Sequence, residues 1–291
     1  MLKIAGFILL ILSCVACNNP AKIETEESMN HTVETLKEWG HAPVNGLKMY
    51  YEIHGEGFPL VLIHGGGSTI YTTFGRIIPK LSKSHQVIAV EMQAHGRTAD
   101  IDRPLSFESD ADDIASLLKY LKIEKADVFG FSNGASTTLQ FAIRHAAMAN
   151  KIIVGSTFYN RSGAPSWFWD FMSDPSFETM PQPYKDAYLA VNPDKNGLYR
   201  MYERDVVRMQ NFPDISDEQL AGITSPALII AGDKDVVTLD HLVNMSGLIH
   251  DSRLAIIPGG HGDYIGEITC PQHPELIEAT AEMVARFLSE K

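Results

Sequence analysis

The chain has 291 residues, 45% of them hydrophobic, enough to bury the core of one large domain or of one domain carrying an insertion. Its formal net charge is −12, with no basic cluster, which argues against a nucleic-acid partner, since phosphates require a basic face.

Lys3 precedes an apolar run from Ile4 to Val15, too short to span a bilayer and suited to the apolar region of a signal peptide, assigned to residues 1–16. The run ends in Leu12-Ser13-Cys14-Val15-Ala16-Cys17, where small residues before a cysteine resemble a bacterial lipoprotein cleavage box. That resemblance implies a lipid on Cys17, with Cys14 as the alternative, and a membrane-anchored place in the bacterial cell envelope; an ordinary secretory signal is the competing reading. If Cys17 is lipidated, the mature chain keeps one cysteine, Cys270, and forms no disulfide. Residues 17–40 are polar and acidic and read as a tether with one short helix.

The folded domain is expected from about His41. Asn45-Gly46 signals a hairpin between a short edge segment and Leu47–His54. Leu60–Ile63, Gln86–Val90, Val128–Phe131, Lys151–Val154, Ala227–Ala231 and Leu254–Ile257 are apolar runs of the kind buried on both faces of a sheet. Helical patterns fall between them. Phe107, Ala111, Ile114, Leu118 and Leu121 repeat behind a Ser106 cap, and Leu276, Ala279, Met283, Val284 and Phe287 follow Pro274. Alternating strands and helices predict an α/β fold, a mostly parallel doubly wound sheet covered on both faces. Residues 41–155 and 223–291 form the two parts of that core. Residues 156–222 interrupt it with a dense set of aromatic side chains and are expected to be an inserted helical cap. Most of those aromatics should hold cap to core. Trp167, Trp169 and Tyr202 are expected to face a substrate pocket.

Gly130-Phe131-Ser132-Asn133-Gly134 lies between an apolar strand and a helical stretch, which places Ser132 at the apex of a tight turn with its hydroxyl exposed. A serine hydroxyl needs a base, a carboxylate to orient that base, and donors for the developing oxyanion. In parallel sheets these groups sit at the carboxyl ends of strands. After Leu60–Ile63 comes His64-Gly65-Gly66-Gly67, either a plain glycine turn or half of an oxyanion hole whose other half is the N–H of Asn133. After Ala227–Ala231 come two carboxylates, Asp233 and Asp235; after Leu254–Ile257 comes His261 among glycines. No histidine–carboxylate spacing suggests a metal: His241 and His250 are too far apart.

From about His41 onward the chain resembles the α/β-hydrolase family, through the motifs at His64–Gly67, Ala94–Thr98, Gly130–Gly134, Gly232–Asp235 and Gly259–Gly262. The resemblance implies that Ser132 is the nucleophile, His261 the general base and Asp235 the acid. Asp233 would then bond within its turn, and Asp240 is a distant third. It implies Gly66 and Asn133 as oxyanion donors, with Gly67 as the fallback, and no cofactor. His64 and His95 match positions regarded as structural. A serine at the nucleophile position sets the chain apart from the epoxide hydrolase and haloalkane dehalogenase branches, which carry aspartate there. The expected activity is ester hydrolysis on a small, largely apolar acyl substrate. C–C, lactone, amide or perhydrolase chemistry on the same triad is the alternative, and a non-catalytic envelope binding protein lies further off.

Overall fold

The computed structural model describes residues 35–271 and 273–290. The expected signal peptide, both candidate anchor cysteines and most of the tether lie outside the described residues.

Eight strands form one sheet: β1 (Leu36–Val44), β2 (Leu47–His54), β3 (Phe58–Ile63), β4 (His85–Val90), β5 (Ala126–Phe131), β6 (Ala149–Gly155), β7 (Ala227–Gly232) and β8 (Ser252–Ile257), in the order β1-β2-β4-β3-β5-β6-β7-β8. The β1–β2 hairpin turns at Asn45-Gly46, both at positive φ, and pairs antiparallel with β4; every later pairing is parallel.

β1 begins at Leu36, five residues before the expected start of the domain, so residues 36–40 belong to the sheet and not to a tether. The cause is edge position. At this outer end of the edge strand, across a register shift between Leu36 and Glu38, Lys37, Glu38 and Trp39 all stay exposed, so the segment reads as polar although its backbone pairs with β2.

The helices are α1 (Ile70–Phe74), α2 (Ile78–Leu81), α3 (Phe107–Tyr120), α4 (Asn133–Arg144), α5 (Ser166–Ser173), α6 (Gln182–Val191), α7 (Lys195–Gln210), α8 (Asp217–Ala221), α9 (Leu239–Leu248) and α10 (Pro274–Ser289). Ser106 caps α3 by accepting the Ser109 N–H, and Ser216 with Gln219 forms a capping box on α8. Pleating sends alternate β3 residues to opposite faces. Val61 and Ile63 join the core under α3, α4 and α9; Leu60 and Leu62 join the core under α1, α2 and α10. Between β6 and β7 lie α5 to α8. The last of these packs on α4 and α9, with Leu220 fully buried, so it belongs with the core layer, while α5, α6 and α7 cover the cleft. No helix among the described residues is long and apolar enough to cross a membrane.

The strand order fixes where a site can form. From β3 the chain runs outward to β4 and then returns to β5 on the other side, so the crevice beyond the carboxyl ends of β3 and β5 is a topological switch point.

Candidate active site

Ser132 follows β5 at φ 55° and ψ −120°, a conformation that L-residues rarely adopt. The surroundings hold it there. Its N–H donates to the Gly155 carbonyl at 2.8 Å, and its carbonyl accepts from Ala135 and Ser136 at the start of α4. Gly130 and Gly134 permit the turn sterically: a Cβ on Gly130 would collide with the Gly134 carbonyl, and one on Gly134 with the Ile63 and His64 carbonyls.

The loop after β8 carries His261 against the ring of Phe131, centroids 4.8 Å apart. Asp235, on the loop after β7, has a side chain with no exposure, and its Oδ1 lies 2.7 Å from His261 Nδ1. A carboxylate only accepts, so Nδ1 carries the proton and Nε2 is left to take one. Burial works against both charges, but the ion pair and its hydrogen bond prevail. His261 is held above 6.5, and Asp235, which also accepts from Ser156 and Val236, is held below 3.8. Ser132 Oγ and His261 are not hydrogen-bonded to each other in this structure. Asp233 instead accepts the Gly259 N–H at 2.8 Å, tying the two loops together, and Asp240 is exposed in the first turn of α9.

A cavity of about 240 Å³ opens beside Ser132, with Gly66, Gly67 and Asn133 in its wall. The N–H groups of Gly66 and Asn133 have no partner among the described residues. The Gly67 N–H is taken by Asp205 Oδ2 at 2.6 Å, which removes Gly67 as an oxyanion donor.

The cap reaches this cavity differently from the expectation. Tyr202 lines it; Trp167 and Trp169 do not. Trp167 is 51% exposed. Trp169 turns away to pack on Phe158 and Phe212, under the Arg161 guanidinium and with its N–H on the Arg161 carbonyl. Helical phase decides: Phe168 and Met172, four residues apart on α5, take the cavity side. On α7 the cavity stripe is Tyr202, Asp205, Val206 and Met209, spaced i, i+3, i+4 and i+7. A single aspartate on that otherwise apolar stripe was a readable signal that the sequence analysis missed.

Asp205 is the hinge of a buried charge cluster. Its Oδ2 also takes His95 Nε2 at 2.9 Å, its Oδ1 takes Arg208 at 2.5 Å, and Arg208 reaches Asp110 on α3 at 2.8 Å. His95 Nδ1 faces the Gln93 carbonyl and so must donate, which makes His95 an imidazolium when it also donates to Asp205. Burial opposes that charge, but Asp205 outweighs it and raises the His95 pKa. Neighbouring His64 donates from Nδ1 to the Gly65 carbonyl and accepts the Met92 N–H at Nε2, so it is neutral. Burial pushes its pKa down to about 3. No cluster of three or more His, Cys, Asp or Glu suited to a metal occurs among the described residues.

A mostly parallel sheet in this strand order, with serine, aspartate and histidine after β5, β7 and β8, defines the α/β-hydrolase fold, and this chain has it. Residues 59–180 match the family model described as alpha/beta hydrolase fold. The chain is 28% identical to serine hydrolase BPHL of Homo sapiens over 231 residues, covering 75% of this chain and 77% of that protein. It is 24% identical to 2-hydroxy-6-oxo-6-(2'-aminophenyl)hexa-2,4-dienoic acid hydrolase of Metapseudomonas resinovorans, covering 92% and 96%. Two other relatives are spanned over only 49% and 39% of their length. A serine hydrolase involved in carbazole degradation superposes with a TM-score of 0.70 at 23% identity, over 87% of this chain and 98% of that one. These relatives are hydrolases, and the likeness supports hydrolase activity here.

Proposed function

We propose that this protein is a serine hydrolase that cleaves an ester, or a related acyl bond, of a small, largely apolar and uncharged substrate. The observation that carries the reading is the convergence on one cavity wall of Ser132, in its strained turn, with two unpartnered N–H groups, those of Gly66 and Asn133. Ser132 Oγ attacks the acyl carbon while His261 Nε2 takes its proton; Asp235 stabilises the imidazolium; the two N–H groups hold the oxyanion. His261 then protonates the departing alcohol. Water attacks the acyl-enzyme with His261 again as base, and the carboxylic acid leaves.

The cavity wall bears on the choice of substrate. Its residues include no lysine, arginine or histidine, and its one ionisable carboxylate, Asp205, is already saturated by protein donors. A substrate carboxylate would shed its hydration there without a cation to meet it. This favours neutral esters and lactones over C–C substrates that carry an acid group, such as the dienoic acid in the name of one relative. We further propose that the N-terminal segment anchors the enzyme as an envelope lipoprotein through Cys17.

Ser132→Ala is expected to abolish hydrolysis of a short-chain aryl ester and labelling by a fluorophosphonate. A neutral ester should exceed its ω-carboxylate counterpart by at least tenfold in kcat/KM. Labelling that persists in Ser132→Ala sinks the assignment; equal rates for the two esters sink the claim about charge. A purely binding protein would turn over neither.

A further inference from the structure

Ser156, the first residue after β6, is one of five non-glycine residues with positive φ among the described residues, at 54°. Ser132 is another, and backbone strain of this kind persists only where the surroundings enforce it. The Ser156 N–H donates to the Ile230 carbonyl of β7 at 2.8 Å, which holds the residue beside the loop that bears Asp235. Its hydroxyl reaches Asp235 Oδ2 at 2.5 Å and the hydroxyl of Tyr264 at 3.0 Å.

The direction of these bonds follows from the acceptor at the end. An ionised Asp235 cannot donate, so Ser156 donates to it, and the Ser156 oxygen is left to accept from Tyr264. Tyr264 is fully buried on the short helix Asp263–Ile265, two residues beyond the loop that carries His261. The two carboxylate oxygens are thereby divided. Oδ1 takes His261 Nδ1 and the Val236 N–H; Oδ2 takes the Ser156 hydroxyl, with the Gly232 N–H more distant at 3.4 Å. Without Ser156 nothing close would fix Oδ2, and the carboxylate could rotate about its Cβ–Cγ bond.

We infer that Ser156 and Tyr264 are positioning residues for this site: a relay of donors, Tyr264 to Ser156 to Asp235, that sets the rotamer of Asp235 and through it the orientation of His261. The inference rests on the reading of Asp235 and His261 given above. Neither residue touches the cavity beside Ser132, so their effect belongs in reactivity and not in substrate affinity. Removing a donor from Asp235 makes its carboxylate more basic and favours the His261 imidazolium. The acid limb of the reaction should therefore move up in pH. Besides Asp235, Glu267 and Asp263 face His261, and Tyr264 faces Asp235 and Cys270. The carboxylates and the thiol are unaltered in the variants below.

The test uses Ser156→Gly, because glycine adopts this φ without strain and the fold should survive, and Tyr264→Phe, which keeps the buried ring. The readout is the rate of fluorophosphonate labelling against pH, which needs no knowledge of the natural substrate, together with kcat and KM on an aryl ester. For Ser156→Gly the plateau rate and kcat are expected to fall about tenfold, as for a lost hydrogen bond to a charged group, with KM unchanged and the acid limb raised by about half a pH unit. Tyr264→Phe should shift both in the same direction by a smaller amount. Wild-type protein that labels normally while both variants keep its rate and its acid limb overturns the inference and leaves the hydrolase reading standing. Unlabelled wild-type protein overturns both.

Discussion

Asp235 has no exposed side-chain surface yet titrates below the ordinary carboxylate value, because the His261 charge and three short hydrogen bonds outweigh burial. His261 is raised by the same pair. The neutral imidazole is the competent base, so kcat/KM should climb as pH rises through the His261 pKa, and the limb should lie above 6.5. Asp235→Asn removes the charge that raises His261. The limb should then move to lower pH, with kcat reduced roughly 10³–10⁴-fold, measured as a pH–rate profile on an aryl ester. A limb that stays in place would mean that Asp235 is not the partner that sets the base. The sign for stability differs between the two groups. The contribution from His261 is fully present below its unfolded pKa and lost as pH rises through the folded one. That from Asp235 is present above its unfolded pKa and lost as pH falls. Ser132, Asp235 and His261 were readable in the sequence because each follows a strand that is nearly all apolar, Ser132 and His261 in turns rich in glycine. Ser156 was not, since a serine at a strand end carries no signal until the β7 loop is laid beside it.

At the level of elements, one helix carries the buried charged tie between cap and core. α7 carries Asp205 down to the Gly67 N–H and the His95 imidazolium, and Arg208 across to Asp110 on α3. Asp205→Ala would strand the buried His95 imidazolium and the Gly67 backbone donor at once, and would leave Arg208 with Asp110 alone. It should cost about 3–5 kcal/mol in unfolding free energy, followed by chemical denaturation, and should lower kcat by loosening the Gly66–Gly67 turn. Asp205→Asn, of the same shape, should recover part of the kcat, because its side-chain oxygen can still accept from Gly67. If Asp205→Ala unfolds like the wild type, the cluster does not pin the cap. Burial opposes the Asp205 charge, but His95 and Arg208 hold its pKa well below the carboxylate range, so its contribution fades only as pH falls through that depressed value. The His95 share is lost as pH rises through its raised value. The existence of cap helices could be read from aromatic density and the Ser216 capping box. Which face of α5 meets the cavity could not: Phe168 and Trp169 are adjacent, equally apolar, and separated only by helical phase against neighbours contributed by α7 and by Phe212. The start of β1 escaped for a related reason, because an edge strand can carry exposed, polar side chains while the inner side of its backbone pairs with its neighbour.

On the scale of the whole molecule, every group of the proposed site lies at the carboxyl end of the sheet, and the chain enters at the opposite edge from β8, on β1. From Cys17 to Leu36 there are 19 residues, 36 minus 17, which can extend at most roughly 65 Å. A lipid on Cys17 would therefore allow the domain to stand clear of a bilayer or to rest its cap against one. Trp167 and Phe171, each about half exposed and four residues apart on the outer side of α5, are the large apolar side chains that such a surface would meet. With a net charge of −12 the chain gains no attraction to anionic headgroups, so membrane residence should depend on the covalent lipid. Expressed in full length in a bacterial host, wild-type protein should enter the detergent phase and incorporate labelled palmitate. Cys17→Ser should shift to the aqueous phase without label, and Cys14→Ser should behave as wild type. Because the cavity is built from residues 66–209, Cys17→Ser should keep its kcat on a soluble aryl ester. Retention of Cys17→Ser in the detergent phase, with label lost only in Cys14→Ser, would move the anchor to Cys14. Partitioning of the wild type and both variants into water would leave the enzyme without a lipid anchor.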